Sequence, residues 1–258
     1  MKKIVSVVFA FYCSSVYAIT NIENQRFDPL PQGNSGSFEL TIDGQSGNSE
    51  EQDYGVAGRF NHKNEGDLYF LIATKDYGKS NDLKDTDKSF VHARWVHQLD
   101  VKLSSEAFAQ YQDDEFTRLL SRYLTGGGIR YRLFNQPKVK SLAVGAGAFY
   151  VFENEDLETF ERKQDYLRFN SYASYKHQFN EHVGLVATAY FQPRASEFSD
   201  YNLLLNASLI SKLTEQLQLK VALKITHDSK PPQNFDAQPP ISVEKTDTEY
   251  SAALVYDF

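Results

Sequence analysis

The sequence predicts an all-β fold, a closed up-and-down antiparallel transmembrane β-barrel of about 12 strands that follows an N-terminal signal peptide. Three observations carry that prediction. Polar and apolar residues alternate with period two through segments of about nine residues, the length a tilted strand needs to cross a bilayer. The joins between these segments alternate between short and long, as they do when hairpin turns face one side of a membrane and loops face the other. The mean hydropathy is −0.49, which excludes apolar membrane helices. A barrel is compatible with it, because each strand carries one apolar and one polar face.

Taken in order, residues 1–18 read as a signal peptide. Lys2 and Lys3 precede an apolar run over 4–12, and the small-residue stretch Ser14, Ser15, Val16, Tyr17, Ala18 ends at the expected cleavage point. The run falls short of the roughly 20 apolar residues a spanning helix requires. Cys13, the one cysteine, lies inside this leader, and Ala10, Phe11 and Tyr12 before it are too bulky for lipoprotein processing. Neither a disulfide nor a lipid anchor is therefore expected. Removing Lys2 and Lys3 takes a formal charge of −7 to −9, and so acidic a chain is a poor partner for nucleic acid phosphates. Residues 19–35 form a polar periplasmic tail, and residues 36–258 form the barrel.

Within 36–258 the short joins fall at 62–66, 98–100, 135–138, 180–181 and 214–216. The longer, more acidic ones fall at 46–52, 76–88, 113–117, 154–164, 193–200 and 228–245. That order puts both termini on the periplasmic side. Alternation is clearest in three segments. Over 167–179, Leu167, Phe169, Ala173, Tyr175 and Phe179 oppose Arg168, Asn170, Ser174, Lys176 and Gln178; over 217–225, Leu217, Leu219, Val221, Leu223 and Ile225 oppose Gln218, Lys220 and Lys224. In the last strand, Tyr250, Ala252, Leu254, Tyr256 and Phe258 oppose Asp247, Glu249, Ser251 and Asp257.

Proline supports the same map, since it donates no ladder hydrogen bond and is excluded from central strands. Pro29 and Pro31 fall in the tail, Pro137 in a turn, and Pro193, Pro231, Pro232, Pro239 and Pro240 in outer loops. Glycine clusters instead in two neighbouring strands, at Gly126, Gly127, Gly128 and at Gly145 and Gly147, where it serves close packing or curvature, or else loosens the strands. The outward stripes avoid Lys and Arg, which would cost about 2 to 4 kcal/mol at mid-depth in lipid. Phe90, Leu120, Leu124, Leu204 and Ile210 break the pattern by placing apolar groups inward. Closure is required because open edge amides have no partners in hydrocarbon.

The inward charges segregate. Glu39 and Asp43 on the first strand stand beside Asp247, Glu249 and Asp257 on the last, while Arg94, Arg122, Arg130, Arg132, Arg168 and Lys176 come from strands on the facing wall. In a wide lumen this pattern sets up a transverse field, with an excess of cations that favours small anionic or zwitterionic solutes. In a plugged lumen the same groups pair and conduct nothing. Eight strands are normally filled and sixteen are normally open, so the strand number leaves both states in play.

The C-terminal stretch His227-Asp228-Ser229-Lys230-Pro231-Pro232, followed by Val243-Glu244-Lys245-Thr246-Asp247-Thr248-Glu249-Tyr250-Ser251, resembles a bacterial family of YdiY-like salt-induced outer-membrane proteins that carry a domain of unknown function. The segment between Pro232 and Val243 is longer than the family pattern. The resemblance implies a bacterial outer-membrane location and a role in envelope adaptation to salt or osmotic change, and it brings no established activity. Leu254, Tyr256 and Phe258 look like the C-terminal signal read by barrel-assembly machinery. Outer-membrane lipid, lipopolysaccharide and small solutes are the other expected partners; no cofactor or metal is expected, because no histidine has metal-site spacing.

Two further patterns point elsewhere. His227 and Ser229 share a strand face, the arrangement a membrane-facing base and nucleophile of a lipid hydrolase would need. No third orienting residue is evident. Acidic runs at Glu50-Glu51, Asp113-Asp114-Glu115 and 153–156 read as solvated loop residues, or as bridges through divalent cations to lipopolysaccharide phosphates. The aromatic content of 14%, with 16 Tyr and 19 Phe, suits girdles at the two membrane interfaces.

Overall fold

The computed structural model describes residues 32–258 except 46–50, 82, 137–138, 239, 243 and 258, and it leaves the side chains of 42–45, 51, 52 and 241 undescribed. The signal peptide, residues 19–31 of the tail and Phe258 therefore lie outside the described residues. The strands are β1 (Gly33–Gln45), β2 (Glu51–Lys63), β3 (Asp67–Ser80), β4 (Leu83–Gln98), β5 (Leu103–Asp114), β6 (Leu119–Gln136) and β7 (Lys140–Asp156). They continue as β8 (Glu161–Gln178), β9 (Val183–Arg194), β10 (Glu197–Lys212), β11 (Leu217–Asp228), β12 (Gln233–Asn234), β13 (Ile241–Ser242) and β14 (Thr246–Asp257). β12 and β13 form a separate small hairpin. The other twelve close into one antiparallel barrel in chain order, with β14 joining β11 to β1. β1 begins at Gly33, inside the segment read as tail.

At one end the turns are short because a side chain replaces the missing ladder. The Asn64 Oδ1 accepts from the amides of Gly66 (3.3 Å) and Asp67 (2.8 Å). Asn180 Oδ1 does the same for His182 (2.8 Å) and Val183 (2.9 Å), and Thr214 Oγ1 for Gln216 (3.2 Å) and Leu217 (2.9 Å). Such local bonds compete well with an extended backbone and fix a tight reversal.

At the opposite end the strands run farther than the polar sequence suggests. The join expected at 76–88 is mostly ladder: β3 continues to Ser80 and β4 starts at Leu83, with Asn81 turning the chain at φ 50°. Charges that read as loop residues instead pair across the hairpin. Lys75 bonds Asp87, and Lys84 reaches Asp87 at 2.5 Å and Glu115 at 2.6 Å. The join expected at 154–164 shrinks in the same way to 157–160, and that at 193–200 to 195–196. Pro193 consequently lies in β9 rather than a loop, next to a register shift between Glu197 and Tyr201. A ladder irregularity is where a strand tolerates proline.

Outward residues form an apolar belt, with Phe60, Leu71, Trp95, Ile129, Phe169, Leu205, Val221 and Leu254 all exposed. Inward apolar residues pack into three clusters instead. Phe90 joins Phe70, Ile72 and Val96; Leu124 joins Phe108, Phe149 and Val151; Leu204 joins Tyr172 and Tyr190. The inward positions of Phe90, Leu124, Leu204 and Ile210 thus fill the interior. Leu120 differs: register shifts at Gln112/Asp114 and Leu119/Ser121 turn it outward, where it is 45% exposed.

The glycine cluster serves close packing. A Cβ on Gly145 would stand 2.1 Å from the Tyr172 ring, and one on Gly126 would stand 2.5 Å from the Cβ of Phe149. Tyr172 of β8 can therefore lie across β7, and its hydroxyl reaches residues of β5 and β6.

Candidate functional site

The candidate site is the barrel interior, and its geometry begins with that tyrosine. The Tyr172 hydroxyl donates to Glu106 Oε2 (3.3 Å) and accepts from Arg130 Nη1 (3.3 Å). Glu106 also accepts from Arg94 Nη1 at 2.8 Å, while Arg94 Nε donates to His92 Nε2 at 3.3 Å. The chain continues from His92 to Gln110 (3.1 Å) and from Gln110 to Gln112 (2.8 Å). Arg94 is sandwiched as well, with its guanidinium 5.0 Å from the Phe108 ring and 5.9 Å from that of Phe70. The side chains of Arg94 and Glu106 are only 3% and 5% exposed. A charge held so dry is stable only while paired and hydrogen-bonded.

A second group of ions lines a cavity of about 200 Å³ at the end with the longer connections. Arg122 pairs with Glu153 at 2.7 Å, and Tyr166 donates to the same carboxylate at 2.8 Å. Arg162 meets Glu155 at 2.6 Å, and Arg168 meets Asp200 at 2.6 Å. The Tyr166 ring lies between the guanidinium groups of Arg168 (5.0 Å) and Arg194 (4.3 Å). Pro232 also lines this cavity. Just beyond it, Asn234 of β12 donates to Leu157 O (2.8 Å) and Thr159 Oγ1 (3.0 Å), pinning the long β11–β14 connection onto the β7–β8 turn.

The third region is the wall formed by β11, β14 and β1. Lys220 binds both oxygens of Glu39, at 2.6 and 2.7 Å, and Lys224 binds Glu249 at 2.9 Å. These four side chains are 17% to 30% exposed, so water reaches them. Toward the short-turn end the wall closes again, where Arg59, 6% exposed, stands 3.8 Å from Asp257.

The structure therefore places Arg94, Arg122, Arg130 and Arg168 in the interior, with Arg132 and Lys176 half-buried on the same inward faces. Glu39, Glu249, Asp257 and buried Asp247 also face inward; the side chain of Asp43 lies outside the described residues. Ion pairs of each set run to other partners. Arg94, Arg122 and Arg168 pair with Glu106, Glu153 and Asp200, and Glu39, Glu249 and Asp257 with Lys220, Lys224 and Arg59. Sequence reasoning missed these partners. Their signal was present in the period: Glu106 shares its face with Phe108, Gln110 and Gln112, and Glu153 shares one with Phe149 and Val151.

His227 bonds Thr246 Oγ1 at 2.8 Å, and Ser229 Oγ accepts from the Tyr201 amide at 2.7 Å. The reading of the acidic runs as solvated loops is corrected. The acidic runs at 113–114 and 153–156 belong to β5 and β7. Asp114, Glu153 and Glu155 are buried rather than solvated; Glu50 and the side chain of Glu51 lie outside the described residues. On the outer face, Leu254 and Tyr256 are exposed at 48% and 44%.

Among solved structures the chain is similar to the NanC porin, at 11% identity and TM-score 0.49, covering 87% of this chain and 98% of that one. It is also similar to the KdgM porin, at 13% identity and TM-score 0.48, covering 87% and 99%. The translocator domain of the autotransporter NalP from Neisseria meningitidis matches at 10% identity and TM-score 0.49, covering 90% of each chain. No curated protein matches. A family described as "Protein of unknown function, DUF481" matches residues 38–258, and the chain belongs to that family.

Proposed function

We propose that the protein is exported through a cleaved signal peptide and spans the bacterial outer membrane. There it acts as a non-enzymatic barrel whose resting lumen is occluded and which serves envelope adaptation to salt. The observation that carries this reading is the network in which half-buried Arg130 meets buried Tyr172, Glu106 and Arg94. Water in an open pore would hydrate these ions, whereas here aromatic rings and neighbouring strands replace it. The apolar belt supports a lipid-facing exterior, since soluble chains rarely expose contiguous apolar surface on this scale. Leu254 and Tyr256 suit recognition by barrel-assembly machinery, and lipopolysaccharide is the partner at the cell surface. The role in salt adaptation draws on the C-terminal resemblance. It also draws on the water-accessible pairs Lys220–Glu39 and Lys224–Glu249, which added salt screens.

A second reading is a narrow passage for small zwitterionic or anionic solutes along the β11–β14–β1 wall, favoured by the accessibility of Lys220 and Lys224. Planar-bilayer recording tests both. Occlusion predicts no stable unitary conductance at rest, and a steady open current would refute it. An open current with cation preference would refute the second reading too.

A further inference from the structure

The seam that closes the barrel is short. Among the described residues, β1 and β14 pair from Ser37↔Asp257 to Leu40↔Leu254. Each strand stays paired on its other side well beyond this point: β1 with β2 as far as Gln45↔Glu51, and β14 with β11 as far as His227↔Thr246. Beyond Leu40 and Leu254, segments 41–45 and 246–253 therefore face each other with no ladder between them among the described residues.

Exposure changes at the same place. Away from their ends the other strands expose no three successive residues, yet within β14 Tyr250, Ser251 and Ala252 are exposed in succession, Tyr250 at 85%. A strand uncovered on both faces borders a gap. Its depth follows from register, because Tyr250, Ala252 and Leu254 pair with Leu223, Val221 and Leu219 of the apolar belt. Backbone left open at that depth is tolerated where it lines a water-filled cavity, and not against acyl chains. Behind the gap lies the water-accessible part of the interior, with Lys220 held by Glu39 and Lys224 held by Glu249.

We propose that this gap is a lateral portal that admits the headgroup of a zwitterionic phospholipid into the lumen while its acyl chains remain in the bilayer. The proposal rests on the membrane-spanning reading above. The chemistry of the rim selects the ligand. Lys220 and Lys224 stand four residues apart on one face of β11, each next to a carboxylate. A phosphate takes the place of a carboxylate at lysine, and the headgroup ammonium takes up the carboxylate so released. An anion without an ammonium leaves the glutamates unmatched, which makes the zwitterion the better fit. Val221, Leu223 and Tyr250 offer the tails an apolar wall outside.

The test uses the full barrel in phosphatidylethanolamine vesicles, with a benzoylphenylalanine photoprobe in place of Ser251 and adducts read by mass spectrometry. Heat-modifiable gel migration is measured first, so that failure to form a membrane barrel counts against the membrane reading and not against the portal. With the barrel intact, a lipid adduct is expected. It should vanish when Thr41→Cys and Ala253→Cys are joined by a disulfide, and return on reduction. The double variant Lys220→Gln, Lys224→Gln should lower adduct yield about tenfold, the effect of losing one charge-assisted contact. Four results would overturn the proposal: no adduct on an intact barrel, an adduct indifferent to the staple, an adduct with a second polypeptide, or equal yield from soluble glycerophosphoethanolamine. The last would indicate a solute passage in place of a lipid portal.

Discussion

The barrel interior is built in two ways. Around the Arg94–Glu106 and Arg168–Asp200 pairs, between β4 and β10, it is dry: these four side chains are 3% to 8% exposed, while Arg162 and Arg194 at the mouth of the cavity keep 31% and 27%. Along β11, β14 and β1 it is wet: Lys220, Glu39, Lys224 and Glu249 keep 17% to 30% of their side-chain surface. Both sectors contain ion pairs at similar distances, so distance does not distinguish them. Water does. In the dry sector a charge depends on its partner, because the alternative is an unsolvated ion. In the wet sector each ion has solvent to fall back on, and the pair contributes little.

The largest effect expected from this contrast is Glu106→Ala, which strands Arg94 and weakens the hold on Tyr172. It should cost about 3 to 5 kcal/mol in urea denaturation of the folded barrel. Leu204→Ala comes next, since Leu204 is 1% exposed against Tyr172 and Tyr190; about 2 to 5 kcal/mol is expected from the cavity. Gly145→Ala should cost about 1 to 3 kcal/mol by driving a methyl into the Tyr172 ring. Combining it with Tyr172→Ala in a double-mutant cycle should recover that clash, and strict additivity would contradict the packing described here. The smallest effect is Glu39→Gln, below about 1 kcal/mol. That loss should shrink as ionic strength rises, whereas the cost of Glu106→Ala should not. A salt response in both variants would erase the distinction between the sectors.

The strand count and the positions of the short turns were legible in the sequence, because period-two alternation ends at residues such as Asn64, Asn180 and Thr214 that reverse the chain locally. Strand ends on the other side were not. Lys75, Lys84 and Asp87 have loop-like composition, and only their register makes them a ladder-extending cluster. The interior was half legible for the same reason. Alternation predicted that Arg94, Arg122 and Arg168 point inward, yet which carboxylate each one meets depends on the neighbouring strand's register. Leu120 shows how one bulge reverses a face. Phe90, Leu124 and Leu204 looked like flaws in an amphipathic pattern, but large apolar side chains on an inward face signal a filled lumen.

The two-sector account is tested most directly by thiol accessibility in the reconstituted barrel. Ala222→Cys lies beside Lys220 and Lys224 on β11, and Ser174→Cys replaces a residue that is 2% exposed on the inward face of β8. A charged, membrane-impermeant methanethiosulfonate should modify Cys at position 222 far faster than at position 174. Equal rates at the two positions would mean that the interior is uniformly wet or uniformly dry, and would contradict the account.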